Sequence, residues 1–402
     1  MTPLSYIILL MVAAVATILL VPPVKWLAKL VDAIDYPSGR RVNTEPIPRL
    51  GGVAMFGGMC ISIVVMLWGL DMGWWTTPLG PHPTMQVDYT LTAAGVLIMF
   101  LVGLCDDIYD LHPKAKLIGQ TAAAVVVVMS GVVFDGIHNP FGPGYIMFDG
   151  WSYPITVIYL VAFANIINLI DGLDGLAAGI SAISMSAVLV FSVMSGRSES
   201  VLFAVIVIGA CLGFLKYNHH PASIFMGDSG ALTLGFMLGI VSLLTITRAA
   251  LFTSLLVPIL AAGVPIIDTF SAIVRRKREH VPIDQASKDH AHHRLLENHT
   301  HKASVYLMWG WTAFLSAGAI IITVLHGWQR IAVFAVLAAV SIAIVIKLDL
   351  LSPALEHKKN PRVSRRHIKD GTFTPDEIES YKADSSDKQD SRPASTKKQK
   401  TG

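Results

Sequence analysis

Charge is scarce in this chain. Asp, Glu, Lys and Arg make up 15% of its 402 residues, against about 25% in a soluble protein. Mean hydropathy is +0.57. These two figures exclude a soluble globular protein. Cysteine is nearly absent. Cys60, Cys105 and Cys211 all lie in apolar runs, which suits small buried hydrophobes and leaves no disulfide or zinc framework. The net charge of +3 gives no reason to expect a nucleic-acid partner. No basic residue precedes the first apolar run, which begins after Met1-Thr2-Pro3. That run does not read as a cleaved signal peptide. The chain also has no Gly-rich phosphate loop and no Ser-His-Asp order.

What the chain has instead is a series of apolar runs near the length that crosses a bilayer. Eleven spans are expected, at about 4–24, 50–70, 90–105, 115–134, 152–170, 175–194, 201–216, 230–247, 251–273, 304–326 and 329–350. The fold expected is an all-α polytopic membrane protein, with residues 1–350 as one integral membrane domain. Residues 351–402 are basic and polar and are expected to form a disordered cytoplasmic tail. Lys and Arg set the orientation. With the N-terminus outside, the inner loops hold fifteen of them and the outer loops three, Arg197, Arg248 and Arg330. The outer loops 71–89 and 135–151 carry Trp74, Trp75, Tyr145 and Trp151 and read as interfacial anchors.

The same parity brings four polar clusters to the cytoplasmic face. The first is Leu104-Cys105-Asp106-Asp107-Ile108-Tyr109-Asp110. If the helix continues, Asp106, Asp107 and Asp110 share one face, and three like charges there need a cation, a raised pKa or water. The plainer reading is a solvated helix end. The second is Asn165-Ile166-Ile167-Asn168-Leu169-Ile170-Asp171-Gly172-Leu173-Asp174-Gly175. Gly172 and Gly175 suggest a broken helix that turns Asp171 and Asp174 inward, and four oxygen-bearing side chains there suit a hard cation or a sugar. The third is Phe225-Met226-Gly227-Asp228-Ser229-Gly230, where Asp228 is either an ordinary N-cap or a Mg²⁺ ligand. The fourth is Asp289-His290-Ala291-His292-His293-Arg294, too tightly spaced for a helical metal pair and better suited to hydrogen bonding phosphate or sugar. Arg40, Arg41 and Arg49 in the first inner loop could clamp phosphate, although a plain positive-inside signal explains them too.

Carboxylates, Asn, Arg and His at one membrane face are equipment for moving a phosphoryl group with Mg²⁺. The four motifs together resemble the polyprenyl-phosphate N-acetylhexosamine-1-phosphate transferases, over about residues 1–350. The resemblance implies transfer of a sugar 1-phosphate from a UDP-sugar to undecaprenyl phosphate, with release of UMP and with Mg²⁺ as cofactor, Mn²⁺ being an alternative. The His-x-His-His-Arg form is similar to the branch using UDP-N-acetylglucosamine, which starts teichoic acid linkage units, O-antigen and related glycans. The alternative donor is UDP-N-acetylmuramoyl-pentapeptide. On this reading Asn168, Asp228 and Asp107 would hold the metal, and Asp106, Asp107, Asp171 and Asp174 would be catalytic. Asp110, Asn165, Arg40, Arg49, His290, His292, His293 and Arg294 would bind substrate. The expected site and tail are cytoplasmic, at the cell membrane, and homodimerisation is left open. A phospho-enzyme route through an aspartate is also left open. A different class, an ion-coupled transporter, would need acids near mid-membrane and an internal repeat, and neither is seen.

Overall fold

The computed structural model describes residues 1–36, 45–80, 85–138, 144–245, 259–260, 262–279, 295 and 299–348. Its helices are α1 (Pro3–Leu30), α2 (Gly51–Asp71), α3 (Tyr89–Tyr109), α4 (Pro113–Met129), α5 (Ser152–Ile170), α6 (Leu176–Met194), α7 (Ser198–Asn218), α8 (Gly227–Thr245), α9 (Gly263–Glu279), α10 (His301–Val324) and α11 (Trp328–Lys347). Two short antiparallel strand pairs, β1 (Ile34–Asp35) with β2 (Ile47–Pro48) and β3 (Gly136–His138) with β4 (Tyr145–Met147), and a 3-10 turn at Asp149–Trp151 accompany them. An all-α polytopic membrane protein is what the sequence led one to expect.

Among the described residues, nine helices are long and apolar enough to cross a membrane. The expected spans at 115–134 and 251–273 are represented by α4 and α9, each 17 residues long. α9 starts twelve residues after the start of the expected span and runs past its end into Arg275-Arg276-Lys277-Arg278. Much of the expected span, 251–258, lies outside the described residues, as does the whole tail 351–402.

Burial shows which helices matter most. In its most apolar stretch, α8 is 83% buried and α7 78%, against 11% for α11. α8 is therefore the hub and α11 lies at the rim. Close packing at the hub uses small residues, as it must where lipid offers no hydrophobic drive between helices. Gly209 and Gly213 of α7 lie against the carbonyls of Leu10 and Ala14 on α1. Gly235 of α8 lies against the Phe163 carbonyl on α5. Hydroxyls tie the same helices: Tyr159 of α5 and Ser242 of α8 are 2.7 Å apart.

The helix ends have local causes. Thr2 caps α1 by accepting from the Ser5 amide, with Pro3 at the first helical position. Asp88 caps α3 by accepting from Thr90 and Leu91. α5 stops at Ile170, and Gly175, with φ of 78°, opens α6. The break expected between Asn165 and Gly175 is thus present, at Asp171–Gly175.

Candidate active site

Described parts of three of the polar clusters, from the end of α3, the end of α5 and the start of α8, converge at one end of the bundle, while the fourth, 289–294, lies outside the described residues. β2 brings Arg49 to them. Phe225 N donates to the Pro48 carbonyl at 2.8 Å, and Gly51 and Gly52 donate to the carbonyls of Phe225 and Met226 at 2.9 and 2.7 Å. This short ladder puts Arg49 beside Gly227. Gly227 has φ of 70°, and a Cβ there would meet both Asp107 carboxylate oxygens at 2.6 Å. Only glycine fits.

The Asp106–Asp110 stretch does not present three carboxylates on one face. Helix α3 ends at Tyr109 because Asp110 is left-handed, with φ of 47°. Asp110 therefore swings out, is largely exposed, and pairs with Arg49 at 2.9 Å. Asp107 is buried, 3% exposed. Its oxygens accept from the amides of Asp228 and Ser229 at 2.7 and 3.0 Å. A carboxylate on α3 thus caps α8, whose first amides need partners and whose dipole favours negative charge. Asp106 accepts from Leu111 N at 2.8 Å and from Lys116 Nζ at 3.0 Å.

Asp228 is the centre. Its Oδ2 takes a hydrogen bond from Lys116, and its Oδ1 takes one from Asn168 Nδ2 at 2.8 Å. Its side chain does not cap its own helix, since Asp107 does that. Asn165 lies one turn deeper on α5 and is engaged with Gln120 of α4, to which it donates at 2.7 Å. The oxygen donors that fit a hard divalent cation are Asp228, Asp106 and the Asn168 side-chain oxygen. Asp107 already spends a lone pair of each oxygen on α8, so its geometry fits a positioning role better than ligation. Substituting Gly103→Ala should test that α3–α8 contact. A Cβ at Gly103 would fall 2.6 Å from the Asp228 carbonyl and the Ser229 Cα, so turnover should drop about tenfold or more from sub-ångström displacement. Unchanged turnover in a folded variant would contradict the tight fit.

Asp171 sits in the break after α5 and is half-buried. Desolvation, and then the charges of Asp228, Asp107 and Asp174, push its carboxyl up to about 8. In metal-free protein the folded chain therefore keeps a proton that the unfolded chain loses above the ordinary carboxylate range. Stability falls as pH rises through that window towards 8. Melting in EDTA at pH 5 and pH 8 should show a larger loss for wild type than for Asp171→Asn. Equal losses would remove the buried proton.

Asp174 lies apart, among histidines the sequence did not single out. His220 Nδ1 and Asp174 Oδ2 are 2.6 Å apart, Ala222 N donates to that same oxygen at 3.1 Å, and Asp174 N donates to His301 Nε2 at 3.1 Å. Donor atoms of Asp174, His220 and His301 all lie within 4.8 Å of one another. The two rings stack at 4.1 Å and 17°. An imidazole lone pair lies in the ring plane, and near-parallel stacked rings share no nearby point in both planes. As arranged, the three side chains hold each other rather than a cation.

Lys116, Gln120, His220 and His301 were missed. Lys116 is one of the fifteen inner-loop charges, and nothing in the sequence around His220 or His301 ties them to Asp174. Arg40, His290, His292, His293 and Arg294 lie outside the described residues.

Residues 89–246 match Glycosyl transferase family 4. Over 333 residues, 82% of this chain and 89% of the relative, the chain is 35% identical to the probable undecaprenyl-phosphate N-acetylglucosaminyl 1-phosphate transferase of Bacillus subtilis. It is 36% identical to the decaprenyl-phosphate N-acetylglucosaminephosphotransferase of Mycolicibacterium smegmatis, over 84% of this chain and 86% of that one. It is also 33% identical to a phospho-N-acetylmuramoyl-pentapeptide-transferase of Moorella thermoacetica, over 66% of this chain and 81% of that one.

Proposed function

The chain belongs to glycosyl transferase family 4, and from that membership we propose that it transfers N-acetylglucosamine 1-phosphate from UDP-N-acetylglucosamine to a polyprenyl phosphate, releasing UMP. It is a multi-pass membrane enzyme with a nucleotide-sugar donor and a lipid phosphate acceptor. Undecaprenyl phosphate is the acceptor named for the Bacillus relative, and it is the acceptor proposed here. The product would start a cell-envelope glycan such as teichoic acid. The fifteen-to-three split of Lys and Arg supports a cytoplasmic site and tail at the cell membrane.

One observation carries the reading: Lys116 and Asn168 grip separate oxygens of Asp228, and Lys116 also bonds Asp106. Such a set of charged and amide groups suits a diphosphate. An oxygen of the lipid phosphate attacks the β-phosphorus of the donor, the bond from that phosphorus to the bridging oxygen breaks, and UMP leaves with the bond's electrons. A phosphate monoester loses its second proton near pH 6, so the acceptor is already a competent nucleophile. The residues are then left with positioning and charge rather than proton removal. Lys116 offers an ammonium to the charge that develops on the phosphoryl oxygens. Arg49, if turned from Asp110, would meet phosphate. Asp228, Asp106 and Asn168 would hold Mg²⁺, or Mn²⁺ in its place, which would supply charge neutralisation at the diphosphate.

The test uses purified protein in detergent, undecaprenyl phosphate, Mg²⁺ and radiolabelled UDP-N-acetylglucosamine. Label should move into the organic phase with matching UMP in water, and EDTA should stop it. Transfer only from UDP-N-acetylmuramoyl-pentapeptide would keep the chemistry and change the donor. No transfer from either would overturn the proposal.

A further inference from the structure

One polar pair lies beneath the cluster. Gln120 is 1% exposed, on α4, four residues after Lys116. Asn165 is on α5, three residues before Asn168. Their amides pair reciprocally: Gln120 Nε2 donates to Asn165 Oδ1 at 3.3 Å, and Asn165 Nδ2 donates to Gln120 Oε1 at 2.7 Å. Asn165 Nδ2 also donates to the Val161 carbonyl at 2.8 Å. A buried amide in an apolar bundle is costly unless paired, and this one is matched by a second amide.

The spacing gives the pair its consequence. Residues three or four apart share a helix face, so Lys116 stands over Gln120 and Asn168 over Asn165. Lys116 and Asn168 reach the two different oxygens of one carboxylate, Asp228. The distance between those oxygens is fixed by covalent geometry. Both side chains reach the carboxylate together only over a limited range of α4–α5 separations, and the Gln120–Asn165 pair bridges the two helices one turn below. We propose that Gln120 is a positioning residue, its amide pair with Asn165 holding Lys116 and Asn168 at the spacing that Asp228 requires. This inference deepens the proposed reading of the cluster and rests on it for its kinetic arm alone.

Two variants and two readouts test it. Gln120→Leu keeps the bulk and loses the pair. Its kcat should fall about tenfold or more, as expected for an ångström-scale misplacement of reacting groups, while donor KM stays close to wild type and the melting temperature falls only modestly, by the cost of the unmet Asn165 amide. The exchanged pair, Gln120→Asn with Asn165→Gln, keeps the combined side-chain length and should recover most of the loss. The second readout is the rate at which Lys116 is acetylated by a small reagent, followed by mass spectrometry. Lys116 is held between two carboxylates, so its labelling should rise severalfold in Gln120→Leu and return in the exchanged pair. Wild-type kcat and labelling in a folded Gln120→Leu protein would overturn the proposal. So would parallel loss of kcat, KM and melting temperature, which marks general loosening. Labelling needs no turnover, so it decides the role of Gln120 even where the donor assay fails and the proposed function falls.

Discussion

Lys116→Met is expected to lower kcat/KM by about 100-fold or more, a loss typical of removing a preorganised charge aimed at a reacting centre. Lys116 Nζ stands 3.0 Å from Asp106 Oδ2 and also bonds Asp228. Both carboxylates are mostly shielded from water, with side chains 15% and 28% exposed. Take away the ammonium, and two like charges face each other across a gap of low polarity. Breaking such a pair from one side costs about 3–5 kcal/mol when fully buried, and somewhat less at this exposure. Lys116→Arg should not restore activity, because a planar fork cannot replace a point charge between two carboxylates at this spacing. Label transfer with all three proteins at saturating Mg²⁺ decides it. Activity of Lys116→Met within about threefold of wild type would remove Lys116 from any part in charge stabilisation.

Lys116 also marks where the sequence stopped being readable. Apolar runs bounded by charge locate helices to within a few residues, because bilayer thickness dictates their length. α2, α3, α5 and α6 accordingly begin and end close to where the runs do. The broken helix after Ile170 was legible too, since glycines flank its carboxylates. What a one-dimensional reading cannot see is which way a side chain turns once a helix ends. Asp110 was expected on a shared face with Asp106 and Asp107. Its left-handed backbone instead sends it out to Arg49, a conformation that Asp tolerates better than most residues. Asp228 read equally well as a cap or as a ligand, and it is Asp107, 121 residues earlier, that takes the cap. Lys116 was counted only as an inward charge, because nothing in its neighbours announces two acids arriving from α3 and α8. Gln120 stayed silent for the same reason, its partner being 45 residues away.

Asp107→Asn is expected to abolish most activity in a way that added Mg²⁺ does not repair. The carboxylate offers an oxygen to each of two amides at the start of α8. An Asn amide offers one oxygen and one NH₂ group, so one α8 amide would face another donor. An unmet buried group costs about 1–3 kcal/mol, and the favourable charge at the helix N-terminus is lost as well. α8 should then shift, taking Asp228 with it, and turnover should fall about 100-fold with a lower melting temperature. Asp228→Asn makes the contrast. It leaves Asp107 on α8 but removes a carboxylate from the proposed cation site. Its loss should be partly recovered as Mg²⁺ is raised, because weakened ligation responds to mass action. A Mg²⁺ titration of both variants separates the catalytic and metal-binding roles expected together of Asp107. Recovery of Asp107→Asn at high Mg²⁺, with an unchanged melting temperature, would return Asp107 to the ligand set. Failure of both variants to respond would place the cation elsewhere. Response by Asp228→Asn alone would make Asp107 the clamp that holds the ligand-bearing helix in place.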